Sequence, residues 1–111
     1  MNRVVVPKGP AFVTGGSSGI GYALAAELLR FDIPVVLFAR RSEGLEAART
    51  ILLREASSRS DRREPLVLTE VADVSDRDVL AAAFRRAATA VGPPRTVIHA
   101  AGIADPDYFE N

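Results

Sequence analysis

Three glycines at fixed spacing, Gly15, Gly19 and Gly21, lie between a short apolar run and a segment of mixed apolar and charged residues. A glycine-rich turn from a strand into a helix binds phosphate, because backbone N–H groups and the positive end of the helix dipole converge there. Gly15 lets the chain leave the strand sharply, Gly19 lets the backbone approach a pyrophosphate, and Gly21 lets the helix pack close to the sheet. The spacing G-x-x-x-G-x-G differs from the common G-x-G-x-x-G pattern of dinucleotide sites. The pattern predicts a phosphate-binding turn.

A second group of residues that could bind part of a ligand lies about 20 positions after the glycines. An acidic residue there would bind the ribose hydroxyls of a dinucleotide and favour NAD. This chain instead has Ala39, Arg40 and Arg41. A small residue followed by a guanidinium leaves room for a 2′-phosphate and offers it charge-assisted hydrogen bonds. The alternative is that the two arginines only begin a surface helix. We predict a preference for NADP(H) over NAD(H).

The elements that position these residues alternate between strands and helices. Four apolar runs predict strands at Pro10–Thr14, Val35–Ala39, Leu66–Val71 and Thr96–His99. Helices of about 12 to 16 residues between short strands indicate right-handed βαβ crossovers and a parallel sheet. The predicted fold class is therefore α/β, a Rossmann-type doubly wound parallel sheet in the order β-α-β-α-β-α-β. This order is incomplete: residues 1–111 are predicted to be the N-terminal part of a single NAD(P)-binding domain that lacks the catalytic second half.

Helix faces and caps can be predicted from the same patterns. The first helix, from about Gly19 to Arg30, is expected to bury the apolar stripe Ile20, Ala23, Leu24, Leu28 and Phe31. Ser42 is the expected N-cap of the second helix. Ser75, with Asp78 three residues later, resembles a capping box at the start of the third helix.

Composition excludes several classes of function. The chain is 48% hydrophobic with no net charge, which is typical of one globular domain and gives no indication of a nucleic-acid partner. It has no cysteine, so disulfides and thiolate chemistry are excluded. No stretch approaches the roughly 18 apolar residues of a membrane span, and the first apolar run is too short for a signal peptide. No metal site is predicted.

Three motifs of the sequence together resemble those of the short-chain dehydrogenase/reductase family. They are Thr14-Gly15-x-x-x-Gly19-x-Gly21 after the first strand, Asp73-Val74 after the third, and Ala100-Ala101-Gly102 after the fourth. The resemblance covers essentially the whole chain, in order and at the expected spacing. It implies a dinucleotide site built from Thr14, Gly15, Ser17, Ser18, Gly19, Ile20, Gly21, Arg40, Arg41, Asp73, Val74, Ala101 and Gly102.

The resemblance also implies a task for each part of that site. Residues 17 to 20 would line the pyrophosphate, and Arg40 would bind the 2′-phosphate with support from Arg41. The Asp73 carboxylate would accept a hydrogen bond from the adenine amino group beside the Val74 backbone. The backbone around Ala101 and Gly102 would border the ribose next to the nicotinamide. The alternative for Asp73 is a simple turn that leads into a helix.

Two features depart from the family pattern. The first is His99, the only histidine, which occupies the place of a usual Asn; His-Ala-Ala-Gly also resembles ketoreductase domains of polyketide synthases. We favour a hydrogen-bonded structural role for it at the end of a buried strand. The second concerns the catalytic residues, which the resemblance implies to be a Ser, a Tyr and a Lys, with the last two spaced as Tyr-x-x-x-Lys. Tyr22 and Tyr108 are the only tyrosines, and the single lysine, Lys8, precedes both. No catalytic residue is predicted.

The implied function is the NADPH-binding portion of an enzyme that reduces a small-molecule carbonyl substrate. The glycine turn, Ala39-Arg40 and Phe109-Glu110 resemble most closely the 3-ketodihydrosphingosine reductases, although a basic residue often found at position 44 is Gly44 here. This implies a cytoplasmic location, or the cytosolic face of the endoplasmic reticulum if the substrate is a sphingolipid. A homo-oligomer is implied for the intact enzyme. The alternatives are a ketoreductase for another substrate and a non-catalytic nucleotide-binding module or fragment.

Overall fold

A computed structural model describes residues 9–15, 19–57 and 66–100 of the chain. The elements are β1 (Ala11–Thr14), α1 (Gly19–Arg30), β2 (Val35–Ala39), α2 (Ser42–Ser57), β3 (Val67–Val71), α3 (Arg77–Val91) and β4 (Thr96–His99). The strands form one parallel sheet in the order β3-β2-β1-β4. The predicted doubly wound α/β fold is confirmed, and the predicted starts of β1 and β3 were each one residue early.

The sheet buries a different core on each face. Helices α1 and α2 cover one face with an aliphatic core that includes Val13, Leu37 and Leu52. Helix α3 covers the other face, where Phe12 and Phe38 project from the strands. Both faces can be covered because β1 and β2 are continuous apolar runs, as is typical of buried parallel strands.

Three aromatic rings hold α3 against its face of the sheet. Phe84 of α3 lies edge-on to Phe12, with ring centroids 5.1 Å apart, and 4.7 Å from Phe38. The rings of Phe12 and Phe38 are 5.3 Å apart. Tilted and edge-to-face pairs at these separations are favourable because the ring quadrupoles attract. Phe84 therefore lies on the face of α3 that packs against the sheet.

The predicted inner face of α1 was wrong by about one residue. Gly21, Ala25 and Leu29 are buried, whereas Ile20, Leu24 and Phe31 are 42%, 38% and 50% exposed and Ala23 is exposed. Leu28 is half-buried and packs against the aliphatic core. The helix is apolar around most of its circumference, so periodicity alone could not choose the face. The sheet takes the side with the smaller residues, because those allow the closest approach of helix to strand.

Both predicted helix caps were also one residue away from the observed ones. The carbonyl of Arg41, which accepts from the N–H of Leu45 (3.5 Å), is in the cap position of α2, and Ser42 is already helical. At α3 the cap is Asp76, whose side chain accepts from the N–H of Val79 at 3.2 Å. Ser75 cannot serve there because its hydroxyl is bonded to another carboxylate.

Strand β4 forms one edge of the described sheet. Its side chains alternate between half-buried and exposed, and Val97 is largely exposed. Helix α3 ends at Gly92, which has φ 96° and whose N–H donates to the carbonyl of Ala88 (2.8 Å). Of the helices that the structure describes, none combines the length and apolar character needed to cross a membrane.

Candidate functional site

The candidate site lies along the carboxyl edge of the sheet. Because all four strands are parallel, the residues after β1, β2, β3 and β4 meet at the same edge. The helix that follows each of the first three strands begins there. In open α/β sheets, ligands bind outside the carboxyl ends of the strands, where the direction of winding reverses. Here the reversal lies between β1 and β4, which are neighbours in space.

The described part of the glycine turn is its two ends, Gly15 and the residues from Gly19 onward. Gly15 and Gly19 have φ of 75° and 63°, in the left-handed region that favours glycine. The N–H of Gly15 donates to the carbonyl of Phe38 (2.7 Å), so the start of the turn is tied to β2. Gly21 is buried against the sheet, and Ile20 is exposed at the beginning of α1. Ser17 and Ser18 lie outside the described residues.

A groove with a cavity volume of about 950 Å³ opens after β2. It is lined by Ala39, Arg40, Arg41, Ser42, Glu43, Gly44 and Val71. Both arginines are exposed, and the first turn of α2 forms one wall. The groove thus combines two guanidinium groups with the positive end of the α2 helix dipole, which together attract an anion. Glu43 is a negative charge in the same wall.

Asp73 follows β3 and is held in a fixed orientation by Ser75. Both the backbone N–H and the hydroxyl of Ser75 donate to Asp73 Oδ1, at 2.9 and 2.7 Å. The side-chain hydrogen bond from Ser75, and then the backbone one, hold the pKa of Asp73 below its ordinary value; desolvation opposes them, and the charge of Arg40 adds the smallest lowering effect. The structure therefore brings Asp73 and Arg40 into one electrostatic neighbourhood. Val74 is half-buried beside them.

Thr14 contributes to the site from inside the sheet. Its side chain is 1% exposed, and its Oγ1 lies 2.7 Å from Nδ1 of His99. The Thr14 carbonyl accepts from the N–H of Ala100 (3.0 Å). The predicted hydrogen bond of the histidine is confirmed, but the ring is exposed because β4 is an edge strand. Ala101 and Gly102 lie outside the described residues.

Tyr22 is not activated for acid–base chemistry. It is half-buried and packs against the aliphatic core between the sheet and the α1–α2 pair. Burial, and secondly the charge of Glu55, raise the pKa of its hydroxyl above the ordinary value. A tyrosine that gives up its proton in catalysis needs the opposite shift. The sequence interpretation of Tyr22 as a packing residue agrees with this environment.

Sequence reasoning missed two parts of the site. Glu43 in the groove wall was not considered, although it lies within two residues of the arginines. Ser75 was assigned to a helix cap, whereas it anchors Asp73. The Asp-x-Ser spacing could have identified it, since an aspartate often bonds to the backbone two residues further on.

Taken together, these features fit a dinucleotide. Gly15 and Gly19 have left-handed backbone at the two ends of the glycine turn, the groove with Arg40 and Arg41 offers an anion site, and Oδ2 of Asp73 is the carboxylate oxygen that Ser75 does not occupy. Among the residues that the structure describes, no three His, Asp or Glu side chains come together to hold a metal ion.

Known proteins are similar to this chain in both sequence and fold. The family model for short chain dehydrogenases matches residues 10–111. Glycine betaine reductase ATRR from Emericella nidulans is 38% identical over 103 residues, which are 88% of this chain and 8% of that protein. Gluconate 5-dehydrogenase from Gluconobacter oxydans is 36% identical over 93 residues, which are 84% of this chain and 33% of that protein.

A solved structure extends the likeness to three dimensions. YwfH, described as an NADPH dependent reductase involved in bacilysin biosynthesis, superimposes with a TM-score of 0.71 at 27% identity. The match covers 81% of this chain and 33% of that structure. The chain therefore spans a third or less of the length of these relatives. The sequence motifs, the sheet order and the family-model match over residues 10–111 all indicate the same family. The chain is a member of the short-chain dehydrogenase family.

Proposed function

We propose that this chain is the NADP(H)-binding portion of an oxidoreductase that reduces a carbonyl group. The observation that carries the proposal is the groove after β2, where Arg40 and Arg41 replace the acidic residue that would select NAD. These guanidinium groups would hold a 2′-phosphate through charge-assisted hydrogen bonds. The glycine turn would hold the diphosphate, and Asp73 would accept from the adenine amino group.

The division of labour follows from the residues present. The nicotinamide supplies the hydride when the cofactor is bound. The chain itself binds and orients the dinucleotide through its carboxyl-edge residues. No Tyr-x-x-x-Lys occurs in the sequence, so a proton donor for the carbonyl oxygen is not provided by that arrangement here. Binding without turnover is the expected behaviour of these 111 residues.

The names of the similar proteins support the proposal that the reaction is a reduction. Two of the three are reductases, and the structural neighbour is described as NADPH dependent. We further propose a keto substrate, with 3-ketodihydrosphingosine as the first to test because of the resemblance of the glycine turn and Ala39-Arg40. A cytoplasmic location, or the cytosolic face of the endoplasmic reticulum, and a homo-oligomeric intact enzyme complete this proposal.

A second candidate is a nucleotide-binding module without chemistry of its own. The two candidates differ in the coding sequence that follows residue 111: a serine and then Tyr-x-x-x-Lys would restore the enzyme. A longer product with those residues should oxidise NADPH when a ketone is added, whereas a module should not.

Titration of NADPH into the chain tests the main proposal. Circular dichroism first establishes that the chain is folded, and calorimetry then measures the affinity for NADPH and NADH. We expect micromolar binding of NADPH, weaker binding of NADH and no oxidation of NADPH by keto substrates. A folded chain that binds neither cofactor would overturn the proposal.

A further inference from the structure

Strand β3 turns one edge of its backbone away from the sheet. The N–H of Val35 donates to the carbonyl of Leu66 (3.1 Å), and the N–H of Ala72 donates to the carbonyl of Ala39 (2.9 Å). Because backbone groups alternate in direction along a parallel strand, the even-numbered residues from 66 to 72 face β2. Among the residues that the structure describes, no strand pairs with the other edge of β3. Three residues present their N–H and carbonyl groups to that outer edge: Val67, Thr69 and Val71.

A charged side chain of helix α2 occupies one of these outer backbone groups. Nε of Arg49 donates to the carbonyl of Val67 at 2.8 Å, and the arginine side chain is half-buried. A hydrogen bond with an ionised donor is roughly twice as strong as a neutral one. On the opposite face of β3, the charge of Glu70 is paired with Arg86, at 2.9 Å. The Arg49 bond therefore covers a carbonyl that an added strand would need.

The outer edge of β3 is complementary to a second copy of itself. Two copies can pair antiparallel about a two-fold axis at Thr69, which then lies opposite its own copy. Val67 would lie opposite Val71 of the second copy, and its carbonyl would accept from the N–H of that valine. On the other face, Leu68 would lie opposite Glu70. Thr–Thr and β-branched pairs are favourable across antiparallel strands, and this register places no like charges opposite each other.

We propose that the outer edge of β3 is a surface for pairing with a second copy of this chain, and that Arg49 prevents this pairing by occupying the Val67 carbonyl. Strand edges with unpaired backbone groups add further strands readily, and charged side chains at the edge are one means by which proteins avoid it. Here the charge comes from the neighbouring helix. The inference does not depend on the proposed function, because it uses no contact with a cofactor.

Arg49→Met and Arg49→Gln test this by changing the donor at one atom position. The methionine Cε takes the place of the arginine Nε and donates no hydrogen bond, whereas the glutamine Nε2 takes that place and still donates. A symmetric dimer breaks the bond in both copies, and each bond to a charged group corresponds to about tenfold or more in an equilibrium constant. Arg49→Met should therefore lower the dimer dissociation constant at least about 100-fold, and Arg49→Gln about tenfold, because a neutral bond is weaker.

Analytical ultracentrifugation over a dilution series measures the association, after circular dichroism has established that each protein is folded. Arg54→Met is the matched control, because it makes the same change at an exposed position of α2 and should leave the association of the wild type unchanged. Folded Arg49→Met protein that associates no more than the wild type would overturn the inference. If Arg49→Met does not fold, Arg49→Gln decides: association above that of the wild type supports the inference, and equal association overturns it.

Two further measurements identify the surface through which the variant associates. Adding Thr69→Lys to the Arg49→Met protein should restore the association of the wild type, because two ammonium groups would then lie opposite each other at the two-fold axis. Hydrogen exchange at the outward N–H groups of Thr69 and Val71 should slow in the associated Arg49→Met protein. Exchange as fast as in the wild type, or association that Thr69→Lys does not reverse, would show that the chains pair elsewhere and would overturn the inference.

Discussion

Replacing Arg40 by glutamine should separate the two nicotinamide cofactors. A cation 4 Å from an anion near a protein surface gains at most about 4 kcal/mol, and a hydrogen bond to a charged group typically contributes about 1.5–3 kcal/mol. Arg40 is exposed in an open groove, Arg41 remains as a second cation, and Glu43 opposes any anion there. The lower part of that range applies. We therefore expect a loss of about 1.5–2 kcal/mol for NADPH, or about 10- to 30-fold in Kd.

Calorimetric titration with NADPH and NADH measures this difference directly. NADH lacks the 2′-phosphate, so its Kd should change by less than about twofold. Arg30→Gln is the matched control: it removes the same charge from an exposed residue in the last turn of α1, where the existing partner is Glu27 at 3.9 Å. Equal weakening of both cofactors by Arg40→Gln, or the same weakening of NADPH by Arg30→Gln, would refute a 2′-phosphate contact at Arg40.

Three further predictions concern the framework that holds the site. Phe38→Leu removes two aromatic pairs and should lower the free energy of unfolding by about 1–3 kcal/mol in urea titrations. Asp76→Ala removes the cap of α3 and should cost about 1 kcal/mol in the same assay. The pKa of Asp73 is lowered in the folded chain, so its carboxylate stabilises the fold above the ordinary aspartate range, and this effect is lost as pH falls through the lowered value. Ser75→Ala removes a hydrogen bond that lowers this pKa. The destabilisation that it causes should therefore be present at pH 7 and disappear in acid.

Each of these predictions has a control or a contrary outcome within the chain. Phe31 is half exposed, so Phe31→Leu should change stability by less than about 0.5 kcal/mol. Asp78→Asn leaves the observed cap intact and should cost less than Asp76→Ala; the reverse order would support the capping box that the sequence suggested. A Ser75→Ala effect that is the same at pH 7 and pH 2.5 would show that the hydroxyl acts other than through the Asp73 carboxylate.

The sequence predicts the sheet well because its signals are local. Apolar runs of four or five residues identify the strands, and only glycine suits the left-handed backbone at positions 15 and 19. The face of α1 could not be predicted, because Ile20 and Leu24 are as apolar as Ala25 and Leu29. The choice between these stripes is made by how closely the helix approaches the sheet, which involves residues far apart in sequence.

The site residues stay a prediction from the sequence, and the contacts among them come from the structure alone. Arg40 and Asp73 could be placed from their distance to the strand ends. The bond between Ser75 and Asp73, and the exposure of His99, depend on which donors remain free and which strand lies at the edge. Both are properties of the folded chain. A serine two residues after an aspartate can hydrogen-bond to that carboxylate instead of capping a helix, as Ser75 does with Asp73. A capping pattern next to an aspartate therefore does not identify the cap residue.

The position of β1 has a consequence for how this chain folds during synthesis. Its first strand is internal in the sheet, and one of its two edges is paired only by β4, whose residues follow about 85 positions later. At a ribosomal rate of roughly 5–20 residues per second, that edge stays open for about 4–17 s. Pairing with β2 can form much sooner, because only about 24 residues separate the two strands. The nascent chain thus carries an apolar strand with one unprotected edge for seconds, and a chaperone that binds extended apolar segments would find its target there.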